Sequence, residues 1–214
     1  MRILPTILTA VTLALGACGG SGSTAPGPPP SPSLSITIAT NLIVSGTSAQ
    51  ASAMITDAGG NTSPASGVTW SSSNAAVAGV SASGLVTGSQ AGSAAIRATA
   101  SGLTGQAFVT VTAGPPASVT IYSGDGQTGN HGSQLPDPLC VLVKDAHGNV
   151  IPGVVASYSV ATGGGTMGNP TTPLTDSFGI ATSGLWSLGS LVGQQTVVAS
   201  VSGAGSVTFR ATAQ

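Results

Sequence analysis

One glycine-rich segment has the spacing of a nucleotide-binding motif. Residues 124–129 read Gly-Asp-Gly-Gln-Thr-Gly, a literal G-x-G-x-x-G that follows a predicted strand. Such a motif binds a dinucleotide when its third glycine opens a helix whose N-terminus meets the pyrophosphate. Residues 130–138 contain Gly132, Pro136 and Pro138 and cannot form that helix. We therefore predict a loop between strands here, and no cofactor.

Few other residues could catalyse a reaction or bind a metal. All five acidic residues are aspartates, and there are two histidines, His131 and His147. The histidines lack the i, i+4 spacing of a zinc site, and the aspartates lack the close spacing of a calcium loop. No Gly-x-Ser-x-Gly elbow is present. We predict solvated turn residues, no metal site and no enzyme. Calcium binding stays open as an alternative for four aspartates, which are Asp125, Asp137, Asp145 and Asp176.

The small number of charges excludes a nucleic-acid partner. Lysine and arginine together number four, the net charge is −1 and 41% of the residues are hydrophobic. Binding to nucleic acid depends on clustered Lys and Arg that displace counterions. Disordered chains combine low hydrophobicity with high net charge, so this composition predicts a folded protein with an uncharged polar surface.

Aromatic residues supply the only candidates for ligand contacts. The strand registers place Tyr122 and Phe108 outward and Trp70 and Tyr158 in the core, whereas the side that Trp186 faces is ambiguous. Tyr122 and Trp186 are therefore weak candidates for ligand binding, because an exposed aromatic face can stack on a sugar or a partner.

The N-terminal residues have the layout of an export signal. Arg2 is followed by an apolar run of about 15 residues, which is shorter than the roughly 20 residues of a membrane-spanning helix. The run ends in Leu-Gly-Ala-Cys at positions 15–18, which resembles the lipobox of bacterial lipoproteins. That resemblance implies a signal peptide at 1–17, lipidation of Cys18 and a membrane partner through the lipid. Glycine at position 19, where aspartate would retain a lipoprotein, implies the outer membrane or cell surface.

The residues after Cys18 have the composition of a tether. Residues 18–33 are rich in Gly, Ser and Pro and reach up to ~45 Å when extended. If Cys18 carries lipid, Cys140 has no disulfide partner. Its apolar surroundings at 139–143 predict a buried small hydrophobe, with a reactive thiol as the alternative.

The rest of the chain alternates apolar and polar residues with a period of two, as half-buried strands do. In residues 94–100, Ile96 and Ala98 share one face and Arg97 and Thr99 share the other. No apolar stripe of helical period follows residue 17. The pattern predicts an all-β fold of two tandem immunoglobulin-like sandwiches.

An internal repeat supports this division into two domains. Residues 57–64, DAGGNTSP, match residues 145–152, DAHGNVIP, at an offset of 88 residues, about the length of one Ig-like domain. Asp and Asn bond their own backbone in tight turns, and glycine supplies a positive φ. We predict domains at 34–113 and 117–214, joined by a proline-stiffened linker at 114–116.

Each half resembles a known family of bacterial Ig-like domains. Residues 68–80, with Trp70 and a Ser-Asn turn, precede Ser-Gly-Leu-Val at 83–86 and Ala-Gly at 91–92, and this order resembles the group 2 family over about 34–113. In the second half, the 123–129 loop, Leu-Pro-Asp-Pro at 135–138 and the glycine run at 163–165 resemble the invasin/intimin-type group 1 family over about 116–214.

These resemblances imply a function in the cell envelope. We expect a non-enzymatic, lipid-anchored protein whose Ig-like domains act as an adhesion or binding module toward a cell-surface protein or a glycan. A passive spacer or stalk and a carbohydrate-binding module are the alternatives. An exposed aromatic or apolar patch on the loops at one end of a sandwich would favour a binding module, whereas loops of only Gly, Ser and Thr would favour a spacer.

Overall fold

A computed structural model describes residues 31–214, and every regular element in this part of the chain is a β-strand. The predicted all-β class is therefore confirmed. In the described part, no helix of the length and hydrophobicity needed to span a membrane occurs. The predicted signal peptide, Cys18 and most of the tether lie outside the described residues. The first strand begins at Ser33, the last residue predicted for the tether.

Residues 33–112 form a sandwich of two sheets. One sheet has the strand order β1-β3-β7-β6 with β4 also paired to β3, and the other has the order β2-β9-β8-β5. The strands are β1 (Ser33–Ile38), β2 (Leu42–Val44), β3 (Ser48–Thr56), β4 (Thr62–Pro64), β5 (Thr69–Ser72), β6 (Ala78–Val80), β7 (Leu85–Gly88), β8 (Gly92–Ala100) and β9 (Leu103–Thr112). Strand β2 runs parallel to β9, and the remaining pairs are antiparallel.

The alternation predicted from the sequence builds the core of this first sandwich. On β8, Ile96 and Ala98 are fully buried while Arg97 and Thr99 are exposed. Trp70 is half-buried on β5 and packs against both groups of buried side chains. Alternate residues of the longer strands therefore fill the space between the sheets, as in other sandwiches.

Residues 118–213 form a second sandwich with the same plan. Its sheets have the orders β10-β12-β15, β11-β18-β17-β13 and β14-β16. The strands are β10 (Ser118–Ser123), β11 (Gln127–Gly129), β12 (Cys140–Lys144), β13 (Ala156–Thr162), β14 (Thr166–Met167), β15 (Ile180–Thr182), β16 (Trp186–Ser187), β17 (Gly193–Val201) and β18 (Gly205–Ala213). Strand β11 runs parallel to the last strand, β18, just as β2 runs parallel to β9.

The second core is larger and contains aromatic residues. Trp186 and Phe209 are fully buried, and Tyr158 is almost so. The rings of Tyr158 and Phe209 lie 6.1 Å apart, and the Tyr158 hydroxyl donates a hydrogen bond to the Ala181 carbonyl at 2.8 Å. Burial raises the pKa of Tyr158, so its hydroxyl stays a donor at neutral pH. The predicted core position of Tyr158 is confirmed.

Candidate functional site

The predicted aromatic candidates have opposite environments. Tyr122 is 60% exposed and lies where the β10–β12 register shifts, so its ring is available on the surface. Trp186 is 0% exposed and belongs to the core of the second sandwich. The prediction that Trp186 could contact a ligand is therefore wrong. The sequence pattern did not show which way the side chains of the two-residue strand β16 face. Phe108 is 65% exposed, as its register predicted.

Cys140 is buried, and its thiol lies 3.4 Å from the Thr182 hydroxyl. The predicted packing role agrees with this position, because the sulfur is covered within the sheet. Cys18, the predicted lipidation site, lies outside the described residues.

The glycine-rich segment at 124–129 is held against strand β18. Asp125 Oδ1 accepts the Arg210 N–H at 2.7 Å, and the Gly126 N–H donates to the Arg210 carbonyl at 2.8 Å. Gly129 ends strand β11 and does not open a helix. The predicted loop between strands is thus confirmed for residues 124–126, whereas residues 127–129 form strand β11, which the sequence analysis did not predict. Across residues 31–214, no three His, Cys, Asp or Glu side chains cluster as metal ligands.

Three aspartates form the same tight turn. In each, Oδ1 accepts the N–H groups two and four residues further on, and a glycine three residues on has a positive φ near 80°. The turns begin at Asp57, Asp145 and Asp176. The sequence repeat revealed the first two. The third was missed because isoleucine stands where the others have asparagine, although Asp and Gly keep their spacing.

The turn at Asp145 docks onto the first sandwich. Asn149 accepts the Ala91 N–H at 2.8 Å through Oδ1, and its amide donates to the Ser89 carbonyl at 3.0 Å and the Ser45 hydroxyl at 3.1 Å. Asp145 Oδ2 accepts the linker Gly114 N–H at 2.8 Å. These bonds join the two sandwiches at a defined orientation.

Electrostatics at this joint favour the ionised aspartate. Asp145 is only 4% exposed. Burial pushes its pKa upward, but hydrogen bonds from Asn149, Gly114 and His147 outweigh burial and lower the pKa from 3.8 to about 2. The carboxylate is therefore charged at neutral pH and anchors both its own turn and the linker.

The far end of the second sandwich presents an apolar pair on a braced loop. Leu191 is 67% exposed and Val192 is 71% exposed, in the loop that precedes β17. Below them Gln195 is 1% exposed; its Oε1 accepts the Gly189 N–H at 2.8 Å and its amide donates to the Leu191 carbonyl at 2.8 Å. A buried amide with satisfied bonds fixes the loop that displays the two side chains.

This far-end loop was not among the residues predicted for binding. The sequence did contain a signal for an exposed loop here. Two adjacent apolar residues, Leu191 and Val192, lie between Gly189 and Gly193 and do not follow the apolar-polar alternation of strand β17. The neighbouring loop, residues 130–133, touches it through a 2.9 Å bond from the Gly132 N–H to the Gly189 carbonyl. Together these loops expose backbone groups and aliphatic side chains, and His131 is their one titratable side chain.

The first sandwich coincides with a match to a known family. Residues 32–111 match the family described as bacterial Ig-like domain (group 2). This match confirms the resemblance predicted for residues 34–113. No curated protein matches the chain.

Solved structures with similar folds include bacterial adhesins. The Escherichia coli adhesin FdeC aligns with a TM-score of 0.51 and 22% identity, over 84% of this chain and 63% of that one. The Yersinia pseudotuberculosis adhesin InvE gives 0.39 and 19%, over 86% and 58%. The D00-D0 domain of intimin gives 0.44 and 16%, over 82% and 98%.

The alignment with FdeC extends over both sandwiches and confirms the Ig-like fold predicted for them. The chain spans less than two thirds of the FdeC and InvE structures. At these identities the similarity establishes the fold.

Proposed function

We propose that this protein is a non-enzymatic component of the cell envelope that acts in adhesion or binding through the far end of its second sandwich. The observation that carries the proposal is the Leu191-Val192 pair, exposed on a loop that buried Gln195 braces. Covering exposed apolar side chains with a partner favours binding, because apolar surface leaves water. A loop that is already fixed loses little conformational entropy when it binds. The structural similarity to the adhesin FdeC supports this class of function.

The far end is also the end that an N-terminal anchor would present outward. Strand β1 begins at Ser33 in the first sandwich, while the exposed pair lies beside the last residues of β18 in the second. Lipid on Cys18, followed by the tether at 18–33, would hold the first sandwich near the membrane and project the second away from it.

Anchoring is tested separately from binding. A clickable fatty acid supplied to cells should label the wild-type chain and leave a Cys18→Ala variant unlabelled. Fractionation of the same cells should place the labelled protein in the outer membrane, as Gly19 implies. Equal labelling of both variants would refute the lipid anchor without touching the binding proposal.

The binding proposal is tested on whole cells that display the full chain. We expect a Leu191→Ser/Val192→Ser double variant to reduce attachment to target cells and glycan surfaces by roughly tenfold, since about 1–2 kcal/mol of apolar contact is lost. Leu174→Ser is the matched control, because Leu174 is 60% exposed but lies beside Val155, away from the far end. Equal attachment by all three would exclude the far end as the binding surface.

A spacer function is the second candidate, and the joint between the sandwiches favours it. The bonds of Asn149 and Asp145 hold the two domains together as a stiff element. Cells that display a spacer would show no attachment above background in the same assay, and replacing Leu191 and Val192 would leave that result unchanged.

A further inference from the structure

The joint within the chain consists of two complementary parts. We call the turn at residues 145–149 the plug, and the end of the first sandwich formed by Ser45, Gly46 and residues 89–91 the socket. The plug contributes the Asn149 amide, and the socket contributes the Ser89 carbonyl and the Ala91 N–H at 3.0 and 2.8 Å. The His147 ring lies beside Gly46, and a Cβ added to Gly46 would be 2.6 Å from His147 Cε1.

The far end of the second sandwich repeats the framework of the socket. The Gly46 N–H donates to the Gly88 carbonyl at 2.9 Å in the first sandwich, and the Gly132 N–H donates to the Gly189 carbonyl at 2.9 Å in the second. The hydroxyl of Thr47 bonds the Val44 carbonyl, and that of Ser133 bonds the Asn130 carbonyl. These corresponding bonds place two backbone loops in the same arrangement.

The sequences of the two loops agree with that correspondence. Residues 88–92 read GSQAG and residues 189–193 read GSLVG, and the final glycine begins β8 in one and β17 in the other. Ser190 and Val192 therefore stand where Ser89 and Ala91 receive the plug. Within residues 31–214, the Ser190 carbonyl and the Val192 N–H have no hydrogen-bond partner.

The start of the first sandwich repeats the plug. The turn at residues 57–61 has the hydrogen bonds of the turn at 145–149, and its Asn61 is exposed. Asn61 Nδ2 bonds Asp57 at 3.2 Å, as Asn149 Nδ2 bonds Asp145 at 2.8 Å. Its Oδ1 has no partner in the described part of the chain, whereas Asn149 Oδ1 accepts the Ala91 N–H.

We propose that a second copy of this chain docks its 57–61 turn into the far-end socket, in a head-to-tail contact. The proposal rests on the proposed binding function, for which it names the partner. By the same correspondence, Gly59 stands in the place of His147 and would face Gly132, while His131 stands in the place of Ser45. A heterologous contact of this kind extends into a row of copies, or into a ring where the rotation between neighbouring copies closes. An isolated copy would project its second sandwich away from the membrane, whereas copies joined in a row would lie along the membrane surface, which a ~45 Å tether permits.

Site-specific photo-crosslinking in cells expressing the full chain tests this contact. A photoreactive residue replaces the exposed Leu191, and adducts are mapped by mass spectrometry after irradiation. We expect a crosslinked dimer whose second component is residues 57–62. Asn61→Ala should reduce its yield roughly tenfold, because two hydrogen bonds are lost. Asn41→Ala, which removes another exposed amide from the same sandwich, should leave the yield unchanged.

The other outcomes overturn the proposal. Adducts with a different protein, adducts with another part of the chain, an unchanged yield in Asn61→Ala, or no adduct would each exclude head-to-tail docking. If the Leu191→Ser/Val192→Ser variant still loses cell attachment in that case, the proposed function stands and only the partner is wrong. If neither assay responds, both fail.

Discussion

The turns at Asp57 and Asp145 share four of their five residues and their internal hydrogen bonds but differ in what covers them. Oδ1 accepts N–H groups at 2.8 and 2.9 Å in the first turn and at 2.8 Å twice in the second. Asp57 is exposed, and bonds from Asn61 lower the pKa of its carboxyl. Asp145 is buried beneath the first sandwich. The five-residue sequence therefore determines the turn, and the surface opposite it determines whether the turn becomes a joint.

Removing the carboxylate should separate these two contributions most clearly. Asp145→Ala deprives Gly114, His147 and Asn149 of their acceptor in a buried place, and we expect a loss of about 2–3 kcal/mol in the free energy of unfolding. Asp57→Ala should cost markedly less because water replaces the lost acceptor. Urea unfolding of both full-length variants measures the difference, and equal losses would show that the joint adds no stability.

The asparagines test whether the joint sets the orientation of the domains. Asn149→Ala removes three bonds to the first sandwich and should cost about 1–2 kcal/mol. It should also broaden the distribution of interdomain distances measured by double electron–electron resonance. Asn61→Ala, the same change in the uncovered turn, should leave that distribution unchanged. An unaltered distribution in Asn149→Ala would mean that the linker alone fixes the orientation.

Two glycines with similar backbone φ angles allow the steric contribution of the contact between Gly46 and His147 to be measured separately. Gly46 and Gly132 have φ of 84° and 73°, so alanine strains both backbones alike. A Cβ on Gly46 would lie 2.6 Å from His147 Cε1, whereas one on Gly132 would meet nothing within 4 Å. We expect Gly46→Ala to destabilise the protein by about 1 kcal/mol more than Gly132→Ala in thermal unfolding. Identical melting temperatures would show that the histidine moves aside freely.

The sequence predicts local features of this chain better than its contacts over longer distance. Alternation places Ile96 and Ala98 in the core, because period two alone determines the face of a long strand. It fails for Trp186, since β16 has only two residues and shows no period. The repeat predicts the turns at Asp57 and Asp145, but no local pattern reveals that Asn149 meets Ser89, 60 residues away. The predicted domain boundaries at 34–113 and 117–214 stay a prediction.

Acid should weaken the covered turn through Asp145, with the smallest effect of the series. Because the folded pKa is lowered to about 2 from 3.8, the ionised carboxylate stabilises the fold fully above pH 4, and this contribution is lost as the pH falls through about 2. From these two pKa values, linkage gives a loss of about 1 kcal/mol at pH 3. Urea unfolding at several pH values measures it. In Asp145→Asn that part of the pH dependence should vanish while the slopes from the other aspartates remain, so parallel curves for the two proteins would assign the acid sensitivity to carboxylates outside the joint.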